Sequence, residues 1–450
     1  MSTTGESTQL LSRRRFVKTA ARGMGAAAFL GAPWIHLNAR SNEVDVVVVG
    51  SGVAGLAAAE TLRNKGKSVL LLEASDRIGG RVQLDRDTFG IPYDRGAHWF
   101  HQGHLNPFLK YGKKHGFSMY KAPDEEALYI GDRKANRNEA RQYHAAYSAA
   151  ISAITKAGSK GLDVSAASVI PDAGVWDSLV RFAIGPFEMG KDLEHFSCVD
   201  WWNSEEGRDW FCKEGLGAVV MHRCAGAAAE LNTPVSKIKW GGNGVIVETS
   251  RGDIRAEKCI VTVSTGVLAQ GGIRFDPALP DKKQASFHNI SMGFYNHIAL
   301  QFDTNFFDTN ADEFLMYQLS SKPNPSRAMG LLTNVSGTNL TMCDVGGGFA
   351  EELEQEGAPG GIDFAIGEIR KMFGADVDKH FIKGDVTAWG RNPYIKGSYA
   401  SAEPGKASMR KQLRKPVAER IYFAGEACSP LEWSTVHGAY KSGIAAASAI

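Results

Sequence analysis

Hydrophobic and polar positions change period along this chain, and each period predicts an element. Val46 to Val49 is an unbroken β-branched run, the pattern of a strand buried on both faces of a parallel sheet. Ala54 to Leu62 follows at helical spacing and is closed by Gly66, and Ser68 to Leu72 predicts a second strand. Tyr143 to Ala157 has long Ala and Ile runs with few breakers and reads as a helix. Alternation through "VIVETSRGDIRAEKCIVTV" predicts a hairpin with its turn near Arg251–Gly252. Gly23 to Ile35 is apolar, yet too short to span a membrane, which takes about 20 residues.

That short apolar run changes meaning with what precedes it. "SRRRFVK" (Ser12 to Lys18) places the pair Arg13–Arg14 directly ahead of it, and this resembles a twin-arginine export signal. Residues 1–39 are therefore set aside as a signal, with cleavage expected near Ala39 and a periplasmic destination. The translocase would be a transient partner, and a route for folded cargo suits a protein that already carries a cofactor.

Composition adds bounds. The chain has 450 residues, 43% hydrophobic and 22% charged, which is ample for two domains. A net charge of +2 gives no reason to expect nucleic acid as a partner. The six cysteines are scattered without metal-like spacing and read as buried small side chains. No metal site is expected, and His98, His101 and His104 lack ligand spacing.

The strongest local signal is Gly50, Gly52 and Gly55 in G-x-G-x-x-G spacing between the first strand and its helix. The first glycine allows the tight turn, the second lets backbone approach a pyrophosphate, and the third lets helix and strand pack closely. Ser51, Val53 and Ala54 complete the loop and the start of a helix whose N–H groups face phosphate. Glu73 ends the second strand about 20 residues on, where a carboxylate meets ribose hydroxyls. The spacing fits FAD and NAD alike.

"EASDRIGGR" (Glu73 to Arg81) resembles the second half of the FAD fingerprint of the flavin amine oxidases, the family of polyamine oxidases, monoamine oxidases and flavin-type histone demethylases. "DRGAHWFHQGHLNP" (Asp94 to Pro107), "CIVTVSTGVL" (Cys259 to Leu268), "WGRNPYIKGSY" (Trp389 to Tyr399) and "RIYFAGEACSPLEWSTVHGAYKSG" (Arg420 to Gly443) follow in the family's order. The resemblance implies an α/β fold with a Rossmann-like FAD-binding domain and a second, α+β substrate domain. It implies a discontinuous FAD domain over residues 43–115, 214–271 and 387–450, with the substrate domain in 116–213 and 272–386 and the Tyr143–Ala157 helix covering the cavity. To FAD it assigns Ala74, Gly80, Arg81, Gly96, Ala97, His98, Trp99, Gly425, Glu426, Thr435, Val436 and Ala439. Val235 reads equally as a core valine or as backbone against the adenine. Ser398 stands where covalently flavinylated members carry cysteine, so FAD is expected to be noncovalent.

Amine oxidation needs a neutral nitrogen beside the carbon that gives up hydride, and the flavin supplies the organic chemistry. His101, at the histidine position of the polyamine-oxidase loop, is the candidate proton acceptor or relay. Trp389 and Thr435 complete the expected catalytic set, together with His297. His297 replaces the lysine that in the family bridges through water to the flavin. It is read either as a silent exchange that still holds a water, or as the mark of a dehydrogenase that uses a periplasmic acceptor in place of O2. The monoamine-oxidase aromatic cage is expected to be absent, with Ala402 and Thr435 near its ring positions and Trp433 as either a ring or a core residue.

Between Glu188 and Gly215 stand eight acids interleaved with Trp201, Trp202 and Trp210. They fit a cationic amine through carboxylate and cation–π contacts, and fit equally a solvated amphipathic helix with a tryptophan core face. The leading expectation is an exported FAD-dependent amine oxidase or dehydrogenase acting on a polyamine or another primary or secondary amine. An amino-acid oxidase, which needs an arginine for the substrate carboxylate, and a degenerate flavin-binding subunit are the alternatives.

Overall fold

The computed structural model describes residues 43–123, 126–318 and 328–450. The twin-arginine segment and its apolar run lie outside the described residues. Strand β1 (Glu43–Val49), helix α1 (Val53–Asn64) and strand β2 (Val69–Leu72) form the expected unit, with β1 and β2 parallel. Gly66 takes φ +78° after the helix and donates to the carbonyl of Arg63, so the chain turns back at the glycine that the pattern marked.

On its other side β1 pairs in parallel with Gly252–Val261, which pairs in parallel with Ile421–Phe423. The same long strand forms the expected hairpin with Val245–Thr249, Thr249 facing Gly252. Val235–Lys239 and Arg274–Asp276 complete this seven-stranded sheet. A strand from the C-terminal tenth of the chain thus lies two places from the first. The closing helix Val436–Ser448 packs on α1, where a side chain at Gly443 would meet the carbonyl of Ala54 at 2.1 Å.

A second seven-stranded sheet carries Tyr295–Phe302 between Leu340–Gly346 and Phe381–Val386, all antiparallel. Its far side runs through Ala328–Thr333 and Glu313–Gln318 to Glu126–Ile130. Helix Gly347–Phe373 covers one face, with Phe349, Ile366 and Ile369 in the core there. Helix Arg137–Ser159 begins on an Asn136–Glu139 capping box and packs its Tyr143, Ala150 and Ile154 into a separate core. It adds no residue to the cavity wall described below, so its role is to support and not to cover.

Among the described residues no helix is long and apolar enough to cross a membrane, and no cluster of His, Cys, Asp and Glu could hold a metal ion. None of the six cysteines forms a disulfide, and five of them are buried.

Candidate active site

A cavity of about 670 Å³ runs between the two sheets. All the residues anticipated for catalysis or cofactor binding line it except Ser51 and Gly55. Both exceptions have a local reason. A side chain at Gly55 would strike the carbonyl of Gly50 at 1.9 Å, so this glycine packs helix on turn behind the wall. Ser51 is fully buried and holds Glu73.

The dinucleotide cradle has the geometry its glycines require. Gly50 turns at φ +97°, and a side chain there would meet Thr262 Oγ1 at 2.8 Å. Gly52 has nothing within 4 Å of where a Cβ would sit, so its backbone is open to close approach by a ligand. Glu73 accepts from the N–H and hydroxyl of Ser51 through Oε2, at 2.8 Å each, and from those of Ser75 through Oε1, at 2.9 and 2.8 Å. Rotation of the two serine hydroxyls frees one lone-pair direction on each oxygen for a ribose hydroxyl. Val235 belongs to the core and also lines the cavity.

Arg81 spans the opposite segments of the chain, donating to Glu426 Oε1 at 3.0 Å and to the carbonyl of Ser398 at 2.7 Å. Thr435 caps the closing helix by accepting from Gly438 N–H and donates to the carbonyl of Glu432, so its hydroxyl is engaged in holding that helix. His98 bonds Asp94 through Nδ1 at 3.1 Å. Its buried Nε2 has no hydrogen-bond partner among the described residues. An open glycine cradle, a carboxylate at the ribose position and an unpartnered ring nitrogen in the wall are what a bound dinucleotide would satisfy. The residues present fit FAD.

Aromatic and acidic groups share this cavity. Tyr295 and Tyr399 both line it, their rings 5.8 Å apart. Ala402 is fully buried in a two-stranded pairing with Ile290, and Trp433 lies in the core under Arg410. The rings therefore come from Tyr399, three residues before Ala402, and from the strand that carries His297. Trp389 lines the wall close to Gly96, where a side chain would meet its ring at 3.2 Å.

The acid-rich stretch is not one helix. It breaks into Leu193–His195, helix Cys198–Asn203 and strand Trp210–Cys212, and its acids divide by role. Glu188, Glu205, Glu206 and Asp209 line the cavity. Asp200 instead pairs with buried Arg410, Asp192 accepts from Gly348 N–H, and Glu214 accepts from Ser118. Trp201 is core, Trp202 is exposed, and Trp210 lies under the ammonium of Lys113 at 3.6 Å.

His101 meets Asp209 through Nδ1 at 3.1 Å. Because a carboxylate accepts, Nδ1 carries a hydrogen, and in the neutral form of the ring the lone pair is on Nε2. His297 has a different situation. Its Nδ1 lies 2.6 Å from Asp344 Oδ1 and its Nε2 lies 3.0 Å from the carbonyl of Gly96. Burial disfavours the charged ring, but Asp344 and the Gly96 carbonyl outweigh it and hold the pKa above the usual histidine range. Both ring nitrogens are engaged, so His297 is neither a free base nor a holder of cavity water in this arrangement. Asp344 was not anticipated; no local motif marks it.

Comparison with known proteins agrees with this geometry. Residues 53–167 and 170–450 match the family described as flavin containing amine oxidoreductase. Polyamine oxidase 4 of Oryza sativa subsp. japonica is 30% identical over 438 residues, covering 89% of this chain and 87% of that protein. Lysine-specific histone demethylase 2 of Homo sapiens is 25% identical over 484 residues, covering 98% of this chain and 56% of that protein. The structure of wild-type putrescine oxidase bound to putrescine superposes with a TM-score of 0.73 at 20% identity, covering 90% of this chain and 98% of that one, and so shares the fold. The chain belongs to the flavin-containing amine oxidoreductases and is an FAD-dependent enzyme of that family.

Proposed function

We propose that the protein oxidises a polyamine, or another primary or secondary amine, at noncovalently held FAD after export in folded form by the twin-arginine route. The observation that carries this reading is that acidic side chains and two tyrosine rings share one cavity with the dinucleotide cradle. When bound, FAD would supply the hydride acceptor for the carbon next to nitrogen, and the imine so formed would be hydrolysed to an aldehyde or ketone plus an amine.

The chain's own residues prepare the amine for that step. An ammonium must lose a proton first, and His101 can take it at Nε2 while Asp209 steadies the ring through Nδ1. Cavity carboxylates attract the cation, and the faces of Tyr295 and Tyr399 favour its alkyl-ammonium groups. Ser398 donates its hydroxyl to the carbonyl of Tyr295 and accepts from the N–H of the same residue, each at 2.7 Å, which ties it to the strand. The final electron acceptor would be O2 or a periplasmic carrier such as a cytochrome or quinone. We favour the carrier, because the histidine at position 297 has both ring nitrogens taken, by Asp344 and by the carbonyl of Gly96, where the family has a lysine.

Among the described residues that line the cavity, no arginine is left for an amino-acid carboxylate. Arg77, Arg81 and Arg95 line the cavity, but Arg77 donates to backbone carbonyls, Arg81 pairs with Glu426 and Arg95 with Asp385. Steady-state kinetics on polyamines, monoamines of matched length and amino acids tests the reading. The expected result is preference for polyamines, with Asp209→Asn raising their KM about fivefold, as loss of a partly exposed ion pair implies. Preference for amino acids would overturn it.

A further inference from the structure

His297 and Asp344 face each other directly across two antiparallel strands, and the ring reaches on to Gly96 in the loop that forms the cavity wall. The backbone of His297 is fixed on its other side, its N–H donating to Thr387 Oγ1 at 2.9 Å and its carbonyl accepting from Thr387 N–H at 3.0 Å. The Gly96 carbonyl can only accept, so Nε2 carries a hydrogen. If Nδ1 carried none, its lone pair would face a carboxylate lone pair at 2.6 Å, so a proton lies between those atoms as well. Asp344 is fully buried, and its second oxygen has no hydrogen-bond partner among the described residues. The His297 ring is therefore its closest hydrogen-bonded partner, and the Tyr295 hydroxyl is another group that bears on it.

We propose that Asp344 and His297 are positioning residues that act as a protonated clasp, holding the Gly96–Trp99 segment against the cofactor cavity only while both ring nitrogens carry hydrogen. Removing one proton to solvent leaves one N–H for two acceptors, and either the Asp344 or the Gly96 contact must break. The segment has little other freedom to compensate. A side chain at Gly96 would strike the Arg81 carbonyl at 1.9 Å, and the Trp99 ring stacks over His297 at 6.4 Å with the planes 22° apart. Since Gly96, Ala97, His98 and Trp99 all line the cavity, the clasp sets the shape that FAD meets.

The charged and titratable groups around the clasp come from each element packed on it. Asp344 lies on the neighbouring strand and Tyr295 on the same strand, its hydroxyl pushed up by burial and by Asp344. Asp94 is held by His98 and by the N–H groups of Leu216 and Gly217. Tyr93 is buried near Asp385, Arg95 and Asp344, and Arg95 is taken by Asp385 at 3.2 Å. The negative groups outnumber the cations here, and the surroundings favour the charged ring. This inference concerns the cofactor wall and does not depend on which amine is oxidised.

Two measurements on the FAD-loaded protein test it. Nitrogen-15 NMR of labelled histidine, assigned with His297→Gln, is expected to show His297 with both ring nitrogens protonated at pH 7. In Asp344→Asn the same ring is expected to be neutral. Separately, the Kd for FAD is expected to weaken as pH rises through the His297 pKa in the wild type. In Asp344→Asn it is weaker by on the order of tenfold and flat with pH, as loss of one charge-assisted hydrogen bond implies, and Asp344→Glu restores part of both. A neutral His297 in the wild type at pH 7 overturns the proposal, even if Asp344→Asn does not fold. So does an Asp344→Asn protein that keeps the wild-type FAD Kd and its pH profile.

Discussion

His437 donates from Nε2 to Oε1 of Gln102 at 2.7 Å, a contact that joins the start of the closing helix to the loop after Phe100. Its other nitrogen, Nδ1, faces Nδ2 of Asn106 at 3.4 Å. Asn106 cannot turn its oxygen toward the ring, because Oδ1 accepts from Phe108 N–H as a helix cap while Nδ2 donates to the carbonyl of His101. A second proton on His437 would therefore point at a donor. Burial first, then the charges of Lys441, His101 and His104, push its pKa down to about 3.

The pH consequence has a definite sign. The folded pKa lies below the unfolded value of about 6.5, so the native state binds fewer protons. The stabilising contribution is complete above about pH 6.5 and is lost as pH falls toward 3. Melting curves from pH 7 to 4 are expected to show a falling midpoint, with a shallower fall in His437→Gln. Equal slopes in both proteins would show that this histidine is not responsible.

Asp200 gives a stability prediction. It binds Arg410 through both oxygens and accepts from Ala402 N–H at 2.7 Å, joining the acid-rich segment to the strand before the closing FAD motif. Asp200→Ala leaves a buried guanidinium without its carboxylate and should cost about 3–5 kcal/mol. Denaturant unfolding measures it, and a loss below 1 kcal/mol would mean that Arg410 finds water or another partner.

Glu73→Ala should weaken FAD retention by roughly 1.5–3 kcal/mol, the range for a hydrogen bond to a charged acceptor. The variant also frees the N–H groups of Ser51 and Ser75, so the loop after β1 is expected to loosen. Equilibrium dialysis with FAD checks this. Unchanged affinity would place the ribose elsewhere.

Export is expected to depend on guanidinium geometry and not on charge alone. Arg13→Lys together with Arg14→Lys keeps the charge while removing the planar donors. Fractionation should find the flavoprotein retained in the cytoplasm. Undiminished periplasmic protein would point to another route.

How much could be read beforehand follows from sequence distance. Gly50, Gly52, Gly55 and Glu73 announce themselves because one loop, one helix and two strands make the cradle within about thirty residues, each with a steric or polar requirement. Asp344 lies 47 residues from His297 and becomes its partner only through strand register, which no local spacing encodes. The pairing of Asp200 with Arg410 spans 210 residues and turns an apparent substrate carboxylate into a structural one. Tyr399 is legible within the "GSY" triplet, three residues before Ala402. Tyr295 had no signal beyond a place on an alternating strand.

Oxidation of an amine at FAD in this cavity is the function on which the other expectations rest. Anaerobic stopped-flow mixing of the purified yellow protein with a polyamine tests it most directly, followed by exposure of the reduced protein to O2 or to an artificial one-electron acceptor. Saturable bleaching of the flavin absorbance by the polyamine, faster than by an amino acid, is expected. So are slow return of colour with O2, faster return with the acceptor, and an increased O2 rate in His297→Lys. A flavin that no amine bleaches would contradict the account, leaving a protein that binds FAD without using it.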